Sequence, residues 1–233
     1  MIDIDFDFRT DTPDGADPDA YSPTLRSYHQ RLWSKPLPNG VVFDLQLTAQ
    51  KYLVHQSKLG EFAVSSDSVI PSFKKEKRLQ AVFQEIPATD IEAFRTLGYT
   101  IGGMMIFPSN RVDGKATING SRGFHPLIKD RFDLTLECIK RFYINEPSPL
   151  SEVLGRYKTF FSLFGNFKNY TQFFLLQDWV IEDSQSIDFA LPFDGFNSLP
   201  LPKTVEEYLI YKNKSSLQIA LRNQRIFRES IST

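Results

Sequence analysis

The side chains that could do chemistry crowd into one stretch. Between residues 119 and 137 the chain carries Asn119, Arg122, Gly123, His125, Asp130, Arg131, Asp133 and Glu137. Asn119-Gly120-Ser121-Arg122-Gly123 reads as a polar loop. Its glycines let backbone N–H groups turn toward an anion. Arg122 offers a planar fork that matches phosphate or carboxylate. A helix beginning after Pro126 would add its positive end. These residues predict an anion pocket with Asn119, Arg122, Gly123 and Arg131 as ligand-binding groups. The competing reading is that Arg122 pairs with Asp130 or Asp133 and pins the loop.

On the helix, Ile128, Phe132, Leu136, Ile139 and Tyr143 form an apolar stripe, and Asp130, Asp133, Glu137 and Arg141 fall along another face. Carboxylates so spaced could share a divalent cation or serve as acid and base. Glu137 and Arg141 could instead support the helix as an i, i+4 pair. His125 titrates near neutrality when unperturbed and could act as a base. The candidate catalytic set is therefore Asp130, Asp133, His125 and Glu137. His29, His55 and His125 lack zinc-ligand spacing, so no metal site is predicted. No Walker loop, GxGxxG, GxSxG or HExxH occurs, and the cofactor stays open.

These groups need a frame. Ile2, Ile4, Phe6 and Phe8 alternate with Asp3, Asp5 and Asp7, which predicts a half-buried strand. Asp11–Pro18 reads as a turn cluster. Ser22-Pro23 opens a helix with an N-cap and a first-turn proline. Strands are expected at 41–47, 61–64, 68–73 and 79–86, and a short helix at 91–97. Residues 99–107 form an apolar run broken by Gly102-Gly103, which predicts a buried strand with a close backbone approach. Beyond residue 124 helices dominate, at 150–164, 170–181, 205–211 and from Ser215 or Ser216 to about 227. Thr204 and Glu207 make a capping box. The order predicts an α+β fold as a single composite domain over 1–233, strand-rich at 1–108 and helix-rich at 124–230.

Bulk properties narrow the partners. The 233 residues, 41% hydrophobic and with 21 Phe, can bury a sizeable core. A net charge of −1 gives no global field for nucleic acid or anionic membrane. Nucleic acid stays open as a partner through the Lys74–Arg78 run and through Arg222, Arg225 and Arg228. These arginines are expected to pair with the acidic N-terminus instead. One cysteine, Cys138, precludes an internal disulfide and fits the cytoplasm, with the thiol buried in a helix. The N-terminus lacks a secretory pattern, and no run approaches a membrane span. The oligomeric state is not legible.

Several blocks, TINGSRGFHPLIKDRFDLTLECIKRFY, SPLSEVLGRYKTFFSLFGNF, FFLLQDWV, LPFDGF and RNQRI, resemble a broad family of uncharacterised bacterial soluble proteins. The segment FDFRTDTPDGADPDAYSPTLRSYHQRLWSKPLPNG is similar to its members too, so the resemblance spans nearly the whole chain. It implies one domain and carries no activity.

Three functions follow as expectations. The first is binding of, or action on, a phosphorylated or other anionic small molecule through the 119–137 loop and helix. The second is a nucleic-acid-directed toxin or defence protein. The third is a non-catalytic interaction module that uses the Phe-rich helices. No motif assigns a reaction.

Overall fold

The computed structural model describes residues 1–50, 52–70, 73 and 76–232. The chain is α+β, with its main sheet complete by residue 108 and its longest helix at the C-terminal end. Two short N-terminal helices come first, α1 (Pro18–Tyr21) and α2 (Pro23–Trp33). Each begins with a capping side chain and a proline, Asp17-Pro18 and Ser22-Pro23. Ser22 Oγ accepts from Leu25 N at 3.0 Å and donates to Asp11. Leu25, Tyr28, His29, Leu32 and Trp33 form the buried face of α2.

A ribbon of β1 (Lys35–Pro36) and β2 (Val42–Phe43) leads into the main sheet. That sheet is antiparallel, in the order β3 (Leu45–Leu47), β4 (Leu53–Ser57), β5 (Gly60–Ser68), β6 (Met104–Pro108). Asp67 on β5 stands opposite Met105 on β6. All of β6 is buried. The excursion between β5 and β6 holds α3 (Gln80–Gln84) and α4 (Ala88–Gly98), then a tight turn at Ile101–Gly103.

After β6 come α5 (Ile118–Phe124), α6 (Phe132–Tyr143), α7 (Ser151–Arg156), α8 (Lys158–Ser162) and α9 (Phe167–Phe173). A small ribbon of β7 (Val180–Ile181) and β8 (Ser186–Ile187) precedes the 28-residue α10 (Val205–Ser232). The Phe-rich helices supply core. Phe160, Phe161, Phe164 and Phe174 are fully buried and stack edge-on with Tyr170 and one another.

Helix α10 locks the fold from outside the sheet. Arg222 is fully buried, and it donates to the carbonyls of Gly102, Met104 and Phe174. Asn223 accepts from Gly102 N at 2.6 Å. A Cβ on Gly102 would lie 2.6 Å from Asn223 Oδ1 and from the Ile219 carbonyl, so this close approach demands glycine. The Thr204 cap forms: Glu207 N donates to Thr204 Oγ1, and Lys203 N donates to the Glu207 carboxylate.

Several expectations fail for local reasons. Residues 2–8 form turns and not a strand, because Asp3 and Asp7 bond the amides two residues on. Residues 79–84 of the expected strand at 79–86 are helical instead, and 85–86 turn. The expected strand at 99–107 starts only at Met104, since the glycine turn occupies 101–103. The expected strand at 68–73 and the basic run at 74–78 lie partly outside the described residues. The two expected C-terminal helices are one. Arg222 sits on carbonyls and Arg225 pairs with Asp178, so neither reaches the acidic N-terminus.

Candidate functional site

The 119–123 segment is a helix, not a glycine-rich loop. Thr117 Oγ1 caps α5, and neither Gly120 nor Gly123 has a positive φ. Its amides are turned into the helix, so they form no anion nest. The cap places Arg122 inward, fully buried. Its Nη1 lies 2.6 Å from Asp67 Oδ2 and 2.8 Å from Asp130 Oδ1. It also donates to the Ser68 and Asp130 carbonyls and to Thr135 Oγ1. Burial works against this charge, but Asp130 and Asp67 hold its pKa above the usual value.

Asp130 reaches Arg122 through a strained turn. Lys129 and Asp130 have φ of 49° and 65°, in the left-handed region. Asp130 N donates to the Arg122 carbonyl while Arg122 Nη2 donates to the Asp130 carbonyl, which holds the turn from both sides. Gly123 faces the Asp130 carboxylate, with room for ordinary contact.

The remaining members come from elements far away in sequence. Helix α1 packs on β5 and brings Asp19 and Asp17 to Asp67. Asp17, Asp19 and Asp67 line two cavities, one of about 580 Å³ and one of about 340 Å³. The larger continues along Ser65, Ser66, His29 and Asn119, with Tyr21 and Tyr52 at its rim, 56% and 62% exposed. The smaller is bordered by Asp130, Arg95, Tyr99 and Tyr208. Two aspartates, Asp67 and Asp130, thus pair with one buried arginine, while Asp17, Asp19 and Asp67 are shared by the walls of both cavities.

Two acceptors in the larger cavity are unfilled. Asp19 is half-buried as a residue, but its Oδ1 is sealed from solvent and finds no donor among the described residues. Asn119 donates through Nδ2 to Ser65 Oγ and the Ser66 carbonyl, and its buried Oδ1 finds no donor among them either. Burial first, then the charges of Asp67 and Asp17, push the Asp19 carboxyl well above the usual range. Burial pushes Asp67 up to about 6; Arg122 pulls it back and Asp130 adds to the rise.

His29 and Ser66 face each other on the cavity wall, Nε2 to Oγ at 2.9 Å. Trp33 Nε1 donates to His29 Nδ1 at 3.0 Å. Neutral imidazole accepts at one nitrogen and donates at the other, so Nε2 carries the proton. Burial, aided by Arg222, pushes His29 down to about 3. It therefore cannot take the Ser66 proton, and the pair is not a nucleophile with its base.

Other expected residues lie elsewhere. Arg131 and Asp133 form a buried ion pair whose spare bonds go to the Pro200 carbonyl and Ala190 N, so they fasten the 190–200 segment. Glu137 pairs with Lys140 and Arg141 on its own helix. His125 accepts from Leu127 N in a local turn. Of the expected set, Asn119 lines the larger cavity and Asp130 the smaller, with Arg122 and Gly123 packed behind Asp130; Asp133, His125, Glu137 and Arg131 lie away from both. Among the described residues, no group of three or more His, Cys, Asp or Glu side chains is disposed to hold a metal ion. No helix among them is long and apolar enough to cross a membrane.

The sequence reading missed Asp17, Asp19, Asp67, Ser66 and His29. One signal was present: Asp17-Pro18 repeats the cap-and-proline start of Ser22-Pro23, which marks a helix carrying Asp19.

A family model for a family of unknown function (DUF6994) matches residues 2–226. The chain belongs to DUF6994. The match takes in α1, β5 and α5 together, so every member of this DUF6994 site lies inside it. No curated protein matches the chain. No solved structure matches it.

Proposed function

We propose that this DUF6994 protein binds a small molecule bearing a protonated amine in the cavity beside Asp19 and Asp67, and that Asp67 exchanges a proton with it. The observation that carries the reading is the unfilled Asp19 Oδ1, a buried carboxylate oxygen beside a cavity lined by three aspartates. Such an oxygen calls for a donor, and an ammonium group supplies both donor and charge. Asn119 Oδ1 would take a second N–H or O–H. Tyr21 and Tyr52 offer ring faces on which a cation can rest. A carboxyl titrating near 6 is matched to proton transfer near neutrality.

The geometry weighs against anion capture at Arg122, which is already neutralised by two carboxylates. A nucleic-acid surface gains nothing from Arg222, which is buried, or from Arg225, which is bonded to Asp178. We place the protein in a bacterial cytoplasm. The lone Cys138 supports this as a free thiol with no disulfide, the state a reducing compartment keeps.

Calorimetry tests the reading with cadaverine, choline, glucose and inorganic phosphate, on the wild type and on Asp19→Asn and Tyr52→Ala. Binding of the amines alone, weakened in both variants, is expected. Binding of phosphate but of neither amine sinks the proposal, as does amine binding untouched by Asp19→Asn.

A further inference from the structure

A larger cavity, about 920 Å³, lies elsewhere, between the N-terminal segment, α2 and the end of α10. Ile2, Leu32, Leu37 and Phe173 give it an apolar wall, and all four are buried. Above that wall sits Lys35. Its Nζ lies 5.3 Å from the Trp33 ring centroid and 5.1 Å from that of Phe173. Its carboxylate contact is Glu229, at 3.6 Å and half exposed.

Trp33 also meets a second cation. Arg222 approaches the Trp33 ring at 5.8 Å and is fully buried. Its hydrogen bonds go to carbonyls and the Met105 sulfur, and no carboxylate among the described residues bonds to it. A buried charge without an ionic partner projects its field through the low-dielectric core. Trp33 thus has two cations against its ring, and both favour an anion in the cavity. Burial first, with Arg222 adding to it, lowers the Lys35 pKa, while Glu229 opposes the shift.

We propose that this cavity is a second ligand site, for a small molecule with an anionic head on an apolar body. The head replaces Glu229 at Lys35, and the body lies along Ile2, Leu37 and Phe173. Arg31, at the rim, gives the head a second cation. This site is separate from the aspartate cavity and opposite to it in charge.

The test is calorimetry on the full chain with octanoate, octanol, octylamine and acetate. Octanoate should bind at least ten times more tightly than the other three. Lys35→Gln should weaken octanoate about tenfold or more. Glu229→Gln should strengthen it, because the competing carboxylate is gone. Asp19→Asn should leave octanoate binding unchanged, which separates this proposal from the amine site. Octanol binding as tightly as octanoate overturns the proposal, as does acetate doing so. Indifference to Lys35→Gln in a folded variant, or weaker binding in Glu229→Gln, does the same.

Discussion

Trp33 Nε1 donates to His29 Nδ1 at 3.0 Å, and this bond settles which His29 nitrogen holds the proton. Nε2–H then faces Ser66, and the ring is buried and neutral. The folded pKa, about 3, lies below the ordinary 6.5. A histidine depressed in this way stabilises the fold fully above its unfolded pKa and loses that contribution as pH falls from about 6.5 toward 3. His29→Gln keeps one donor and one acceptor but cannot titrate. Urea denaturation should show a slope shallower by up to about 1.4 kcal/mol per pH unit between pH 6 and 4. An unchanged slope would place the acid sensitivity elsewhere.

Asp19 and Asp67 carry the opposite sign. Their folded pKa values exceed the ordinary 3.8, so the protonated form favours the fold. That contribution is complete below about pH 4 and is lost as pH rises, through about 6 for Asp67. Asp19→Asn removes a titrating group while keeping its shape. It should match the wild type near pH 4 and melt higher at pH 8, by about 2–4 °C for each kcal/mol relieved. The same variant should lose the amine ligand. A variant less stable at pH 8 would make Asp19 a structural acceptor.

Arg122→Met leaves Asp67 and Asp130 facing each other with no cation between them. The cost at pH 7 should be about 3–5 kcal/mol, the usual result of breaking a buried pair. At pH 5 the loss should shrink, because Asp67 can take a proton there. The double variant Arg122→Met with Asp67→Asn should recover part of the pH 7 loss. Chemical denaturation at both pH values measures this, and a pH-independent loss would mean packing dominates.

Gly102→Ala tests the lock between α10 and the sheet. The new methyl would lie 2.6 Å from both Asn223 Oδ1 and the Ile219 carbonyl, and the second is backbone. The expected loss is about 1–3 kcal/mol by overpacking. Gly155, which has open space around its Cβ position, is the control and should tolerate alanine in its helix.

How much of this was legible follows from where the information lies. The caps at Ser22 and Thr204 and the glycine approach at 102 are local rules, and the sequence shows them. Arg122 stood out by type, but its partner Asp67 is 55 residues away and joins it only when β5 pairs with β6. Asp19 drew no reading in the sequence because its burial depends on α1 packing over β5. Asp133 and Glu137 sat at inviting helical spacing, yet each was satisfied by a neighbour within four residues. The long apolar run at 170–181 looked like one helix; Leu175, with φ of 53°, breaks it.

The buried arginine of α10 also dictates an order of assembly. Gly102 and Met104 emerge from the ribosome well over a hundred residues before Arg222, and Phe174 emerges 48 before it. Until then their carbonyls have only water as a partner, and the turn that closes against Asn223 has nothing to close on. The main sheet cannot reach its final stability before Arg222 has emerged. The nascent chain must keep the buried strand β6 from other partners while it waits, and its resistance to protease should rise when α10 docks.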